Sequence, residues 1–490
     1  MEKLKKGQDY SGRVIKTVYP NKGIVECSGE RVAVKGVLEG QKVSFRIGKI
    51  RNGRYEGKLV SVDERSPIES QEPFCPHFEL CGGCTYQRLT YDSLLKLKES
   101  QVKQILDDCV DYEYEFMGIA ASPNEKGYRN KMEFSFGDSF KGGKLTLGLH
   151  KSGSFYDILQ ITDCKITNED YNTIIRFVTE LCRRWKLDYC HKMSHIGYLR
   201  HLLIRRAATT GEILVNLVTT SQWNSGNINE AIENGSAETV KEDSVRKEDE
   251  SLFLEEFKNG LIDLNLNGSI VGILHSVNDD PADAIKADRI DVLKGKDFFF
   301  EEILGQIFKI TTFSFFQTNS FGAEVLYKIV RDFTGDIKNK EVFDLYSGTG
   351  TIAQILAPVA GRVTGVEIVP EAVESAKMNA ALNGLSNCEF ICGDVLKVLD
   401  GLTQKPDIIV LDPPREGINP KALTKIINYG VDTIVYVSCK PTSLARDLEV
   451  LNANGYRMVK AKCCDMFPWT VHVETVVQLS RVKPDISFSY

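Results

Sequence analysis

Apolar and polar positions change rhythm three times along the chain. Up to about residue 65, short runs rich in β-branched residues (13–18, 23–27, 31–34, 42–47 and 55–62) are separated by Gly, Asn and Pro turn signals. Five such strands in so short a stretch predict a small barrel of the oligonucleotide-binding kind, ended by Ser66-Pro67. A helical period follows over 91–109, with Leu94, Leu95, Leu97, Val102, Ile105 and Leu106 as its apolar face. Residues 128–220 mix strands with a helix around 171–185, and residues 221–258, polar and acidic, read as a surface insertion or flexible loop. From 341 onward, strands at 342–346, 362–367, 388–392, 408–412, 434–438 and 473–479 alternate with helical segments. That order predicts a doubly wound, mostly parallel α/β sheet. The fold class is therefore multidomain: an N-terminal β-barrel, a central α+β domain and a C-terminal α/β domain.

Charge adds a partner to this picture. The net charge of −6 argues against a nucleic-acid partner until its distribution is read. Residues 230–257 hold ten acidic against three basic residues, so the rest of the chain is close to neutral. Lys42, Arg46, Lys49, Arg51, Arg54 and Lys58 form one basic window, and Arg183, Arg184, Lys186, Lys192, Arg200, Arg205 and Arg206 another. Such windows are expected to contact phosphates. No run reaches the roughly 18 apolar residues of a membrane span, and the charged start lacks a signal-peptide core, which predicts a cytoplasmic protein. The 13 cysteines then read as thiols, metal ligands or catalysts, not as a disulfide frame.

The segment Val342-Phe343-Asp344-Leu345-Tyr346-Ser347-Gly348-Thr349-Gly350-Thr351 is an apolar strand running into a Gly-x-Gly loop and a helix. Glu367 ends the next strand, where an acid can accept from two ribose hydroxyls. Asp394 follows the third, placed for an exocyclic adenine amine, and Asp412-Pro413-Pro414-Arg415 ends the fourth. This layout is that of an S-adenosylmethionine site; a dinucleotide site would carry a third glycine in the loop. Arg415 stands where amine methyltransferases place an aromatic residue, which argues against amine methylation.

Cys439 ends the apolar run Thr433-Ile434-Val435-Tyr436-Val437-Ser438 and precedes Lys440-Pro441. Uracil C5 is a poor nucleophile until a thiolate adds to C6. A base must then remove the C5 proton so that the thiol can leave. Cys439 offers the thiolate and Glu474 the base, with His472 in a supporting place. Cys75, Cys81 and Cys84, spaced Cys-x5-Cys-Gly-Gly-Cys, with Cys164 as a distant fourth, have a metal signature that suits structural zinc or an iron–sulfur cluster. Cys463-Cys464 reads as packing.

These motifs resemble the RNA (uracil-5-)methyltransferase family, in particular its 23S rRNA branch. The resemblance covers nearly the whole chain. It implies a TRAM barrel at 1–65, a central iron–sulfur and RNA-recognition domain at 70–91 and 127–310, and a Rossmann-like methyltransferase domain at 92–126 and 311–490. Phe315-Phe316-Gln317-Thr318-Asn319 matches the family's pre-catalytic signature, implying Gln317 as a donor contact. By the same match Tyr346, Thr351, Glu367, Asp394 and Asp412 would contact S-adenosyl-L-methionine. Cys439 would be the nucleophile, Glu474 the proton acceptor, and Cys75, Cys81, Cys84 and Cys164 the ligands of a 4Fe-4S cluster. The resemblance further implies a monomer that makes 5-methyluridine in 23S rRNA. The rival readings are the same reaction on the transfer-RNA T-loop and a non-catalytic RNA-binding iron–sulfur protein. Three positions depart from the family pattern: Lys440 where Asn is usual, Ser347 where Cys is common, and a longer acidic insertion.

Overall fold

The computed structural model describes residues 3–223, 242–282, 287–401 and 405–482, with side chains from 247 onward in the second stretch. Strands β1 (Asp9–Val18), β2 (Lys22–Cys27), β3 (Glu30–Lys35), β4 (Lys42–Arg51) and β5 (Arg54–Glu64) close a barrel in the order β1-β2-β3-β5-β4. In β4 the period-two pattern does the sorting: Val43, Phe45 and Ile47 face the barrel core, and Lys42 and Arg46 face out. The basic window on β4 and β5 is thus on the surface. Part of it is already paired, Arg46 with Asp9 at 2.7 Å and Lys42 with Glu64 at 3.5 Å.

Helix α1 (Tyr91–Asp107) is capped by Thr90, whose Oγ1 accepts from Ser93 N. Strand β6 (Glu115–Ala120) follows, and both belong spatially with the C-terminal sheet described below. The middle of the chain builds a second sheet from β7 (Lys131–Asp138), β8 (Leu145–His150), β9 (Ile158–Gln160), β10 (Leu199–Arg206), β11 (Glu212–Thr219), β12 (Ser269–Val277) and β13 (Arg289–Gly295). Its order is β13-β12-β11-β10-β7-β8-β9. Helix α2 (Glu169–Arg184) lays Tyr171, Ile174, Ile175, Val178 and Cys182 on it, a stripe at helical spacing.

Two expectations need correction here. The acidic stretch 221–258 is not all loop. Residues 224–241 lie outside the described residues, but 242 onward forms helix α3 (Glu242–Ile262). Phe253, Phe257 and Leu261, four residues apart, are buried against the central sheet. The acids around them hid this apolar stripe. Three residues of the second basic window, Arg200, Arg205 and Arg206, are structural and do not face RNA. Arg200 and Arg205 are buried, Arg200 donating to the carbonyls of Asn278, Asp280 and Ala282. Arg206 pairs with buried Asp170 at 2.9 Å.

A hairpin, β14 (Phe298–Ile303) and β15 (Gln306–Thr311), leads to α4 (Ser320–Thr334). The C-terminal sheet uses β16 (Glu341–Leu345), β17 (Arg362–Glu367), β18 (Cys388–Cys392), β19 (Ile408–Leu411), β20 (Thr433–Ser438), β21 (Tyr456–Cys464) and β22 (Glu474–Arg481). The connecting helices are α5 (Thr351–Leu356), α6 (Pro370–Leu382), α7 (Val395–Gly401), α8 (Pro420–Tyr429) and α9 (Pro441–Ala453). The strand order is β18-β17-β16-β19-β20-β22-β21-β6. The first five strands are parallel, and β22 inserts antiparallel between β20 and β21. No helix among the described residues is long and apolar enough to cross a membrane.

Candidate active site

A cavity of about 1140 Å³ opens at the carboxyl ends of β16, β17, β19 and β20, where doubly wound sheets bind ligands. Gln317, Tyr346, Thr351, Glu367, Asp412, Cys439 and Glu474 all line it. Asp394 does not. Its Oδ1 accepts from Leu396 N at 2.9 Å, and its carbonyl accepts from Lys397 and Val398, so it caps α7.

The glycine loop is shaped for close approach. Tyr346 adopts φ 67° and Gly350 φ 72°. A Cβ at Gly350 would stand 2.4 Å from the Phe390 ring, so glycine is required there. Glu367 accepts from Gly348 N at 3.0 Å and from Ile368 N and Val369 N at 2.8 and 2.9 Å. Its carboxylate is thereby fixed while still lining the cavity. The Gln317 side chain hydrogen-bonds the Tyr327 hydroxyl. The loop carrying Gln317 is held from the central domain: Asn130 donates to the Gln317 carbonyl at 2.9 Å, and Arg205 donates to the Ser314 carbonyl.

Register brings the reacting pair together. Strands β20 and β22 run antiparallel, with Ser438 opposite Thr475 as the last pair. One step further places Cys439 opposite Glu474. Ser438 brackets the turn: its Oγ accepts from Lys440 N at 3.2 Å and donates to Lys440 O at 3.1 Å. Lys440 is the N-cap of α9 and makes no side-chain cap bond. Burial pushes the Cys439 thiol up to about 11, with Glu474 and Asp412 adding to the rise and Arg415 opposing it. Burial, then Asp412, pushes Glu474 up to about 8, again opposed by Arg415. Burial raises Asp412 to about 7. His472 is pushed down to about 4 by burial and by the cations Arg415, Lys98 and Arg129, so it stays neutral. Its Nδ1 lies 3.4 Å from Arg415 Nη2.

Sequence reading missed two residues of this cavity. Asp344 is fully buried and lines it, and burial holds its carboxyl well above the usual range. An acid inside the apolar run Val342–Leu345 was the available signal. Arg129 comes from the central domain and stands over the Phe467 ring at 5.8 Å. Nothing local in the sequence marks it.

The backbone between β21 and β22 is gripped from three places. Lys98 on α1 is buried and donates to Asp465 Oδ1 at 2.6 Å, His472 O at 2.7 Å and Phe467 O at 3.2 Å. Thr85 N and Tyr86 N, beside Cys84, donate to Trp469 O at 2.7 and 3.1 Å. The Tyr128 hydroxyl donates to Pro468 O at 3.0 Å. Trp469 itself sits at φ 69°, a costly conformation for a bulky residue that these bonds hold in place.

Cys75, Cys81, Cys84 and Cys164 come together from distant parts of the chain, and the thiols of Cys81, Cys84 and Cys164 each sense others of the set electrostatically. Burial, the main cause, raises Cys84 to about 12 and also raises Cys81 and Cys164. Gly83 N donates to Cys81 Sγ at 3.4 Å. Among the described residues, no three His, Cys, Asp or Glu side chains converge as a group for one metal ion.

A family model described as tRNA (uracil-5-)-methyltransferase matches residues 302–482. The chain is 44% identical over 478 residues to an RNA methyltransferase of Caldanaerobacter subterraneus subsp. tengcongensis, covering 98% of this chain and 100% of that one. It is 45% identical over 478 residues to an RNA methyltransferase of Clostridium tetani, covering 98% and 99%. Among solved structures, a Pyrococcus abyssi tRNA (uracil-54, C5)-methyltransferase in complex with S-adenosyl-L-homocysteine superposes with a TM-score of 0.69 at 24% identity. That alignment covers 96% of this chain and 100% of the other, a likeness of fold.

Proposed function

The chain belongs to the family of S-adenosylmethionine-dependent RNA uracil-5 methyltransferases, and on that premise we propose that it makes 5-methyluridine in 23S rRNA, as a cytoplasmic monomer. The observation that carries the chemistry is the placing of Cys439 opposite Glu474 in a cavity that also holds Asp412 and Asp344. Three carboxyls around one space, with Asp344 and Glu474 buried and Asp412 partly so, favour a cationic ligand. Asp344 Oδ1 and Ser347 Oγ are buried without a partner in the protein, so unfilled bonding capacity stands at the same wall. Gln317, Tyr346, Thr351, Glu367 and Asp412 would hold S-adenosylmethionine. Asp394, which caps α7 through Oδ1, would contact the donor with its remaining carboxylate oxygen. The donor, when bound, supplies a methyl group made electrophilic by its sulfonium.

The protein's own residues do the rest. The Cys439 thiolate adds to uracil C6, and the electron pair moves to C5, which takes the methyl group. Glu474 removes the C5 proton. The S–C6 bond then breaks and returns the thiolate to Cys439. Arg415 stabilises both anions, the direction in which it opposes their raised pKa values.

Cys75, Cys81, Cys84 and Cys164 would hold a 4Fe-4S cluster behind a TRAM-type barrel. The donor set is all thiol, with Cys164 buried and the other three partly so, and has a backbone amide aimed at one sulfur. The barrel and the four thiols support the ribosomal substrate. A second reading, the transfer-RNA T-loop, draws support from the fold shared with the Pyrococcus enzyme.

Incubation with labelled methyl donor and either 23S or transfer RNA, followed by product mapping, tests the reading. Methyl label in 23S RNA is expected. Label only in transfer RNA would move the assignment to the second reading, and label in neither would sink the enzyme. RNA containing 5-fluorouridine should trap a covalent adduct with the wild type and none with Cys439→Ala. The purified protein should carry iron and acid-labile sulfide in equal amounts.

A further inference from the structure

The loops that precede β9 and β10 expose an aromatic group that plays no part in the cavity. Phe155 is 66% exposed, Tyr156 57% and Met193 80%. They are not scattered side chains. The Phe155 and Tyr156 rings pack edge to face at 5.3 Å, and the Tyr156 hydroxyl donates to Met193 Sδ at 3.7 Å. Lys192 Nζ stands 4.4 Å from the Phe155 centroid, and His150 stacks on the same ring at 6.3 Å and 18°. Lys192 and His150 are 3.4 Å from each other, so both lie to one side of Phe155. The rest of the ring faces water.

Large exposed rings packed against each other, with a cation on one side, suit a ligand that offers flat apolar faces joined by negative charge. Unpaired nucleobases on a phosphate backbone have that form. A protein partner would more often present an apolar anchor to a patch free of cations. The platform is also built into the cysteine loop. Gly82 N donates to His150 O, Ser152 N donates to Leu80 O, and Cys81 forms a β-bridge with Lys151.

We propose that Phe155, Tyr156 and Met193, flanked by Lys192, form a stacking platform for unpaired bases of the RNA substrate, away from the methylated uridine. The inference rests on the RNA-methyltransferase reading and adds a second point of contact to it. It also explains why the cysteine loop lies where it does: it braces the platform.

The test uses the full chain with Phe155→Ser and Tyr156→Ser, singly and together. Each exposed ring supports no core, so the variants should bind S-adenosylmethionine as the wild type does. Affinity for RNA with an unpaired loop should fall about tenfold or more per ring, the scale of one lost base stack. Affinity for a plain duplex of equal length should stay within about twofold, and kcat at saturating RNA should be unchanged. In complexes carrying 4-thiouridine in the loop, irradiation should cross-link the peptide containing residues 155 and 156. Unchanged loop-RNA affinity in the double variant would overturn the proposal. So would a wild-type dimer that the variants dissolve, which would assign the patch to a second copy of the chain. The results that would overturn it are RNA affinity and oligomeric state, so they stand apart from the methylation assay that decides the function itself.

Discussion

Glu474 has the most consequential environment of any single side chain here. Its ordinary pKa of 4.5 is raised to about 8, first by burial and then by Asp412. The folded protein thus keeps a proton that the unfolded chain gives up. For an acid raised on folding, the stability contribution is present below the unfolded value and is lost as pH climbs from about 4.5 through about 8. Glu474→Gln never ionises. Its melting temperature should match that of the wild type at pH 5 and exceed it at pH 9, by on the order of a few kcal/mol of stability. Thermal melts at the two pH values check this, and an equal shift at both would refute it. The variant should at the same time lose turnover, because the amide cannot take the C5 proton. Asp344 shows what sequence reading can overlook at this scale. Asp394, counted among the donor contacts, also caps a helix, and an acid passed over within an apolar strand faces the cavity. Strand-end acids are visible as a pattern, but which of them turns inward depends on the helix that follows.

Among the elements, α1 shows how a short early segment serves a distant site. Lys98 spends its donors on one carboxylate and two carbonyls of the β21–β22 connection. Lys98→Met should destabilise the C-terminal domain by about 3–5 kcal/mol, since it strands Asp465 in the interior. Hydrogen exchange should show the loss over β21 and β22. Adding Asp465→Leu should recover much of the stability by removing the stranded charge. Turnover should stay low, because the Phe467 and His472 carbonyls still lack their donor. Recovery of turnover in the double variant would mean that Lys98 only stabilises. The alternating strands and helices after residue 341 were legible because Gly, Pro and acidic residues punctuate an otherwise apolar pattern. The place of β22 between β20 and β21 was not, and that place is what sets Cys439 opposite Glu474. Helix α3 was masked for a simpler reason: acids around Phe253 and Phe257 outweighed their four-residue spacing.

At the scale of the whole molecule, the barrel, the central domain and the cysteine loop all meet the C-terminal domain close to its chemistry. Tyr86, beside the cysteines, donates its hydroxyl to Pro20 in the barrel at 2.9 Å and its amide to Trp469. Loss of the proposed cluster should therefore weaken two functions together. Cys84→Ser should lower RNA affinity through the loop that braces Phe155. It should also lower kcat through Trp469, whose backbone leads into Glu474. A variant that loses affinity alone, with kcat intact at saturating RNA, would break this link. The three-sided grip on the β21–β22 connection also bears on how the protein is made. Lys98 and Asp465, its buried partner, are 367 residues apart in sequence. On a ribosome the donors emerge long before the carbonyls they serve. A chain cut short before that connection would have nothing to seat in the prepared grip. The site is therefore complete only once the residues from Asp465 to Glu474 have followed Lys98 out of the ribosome.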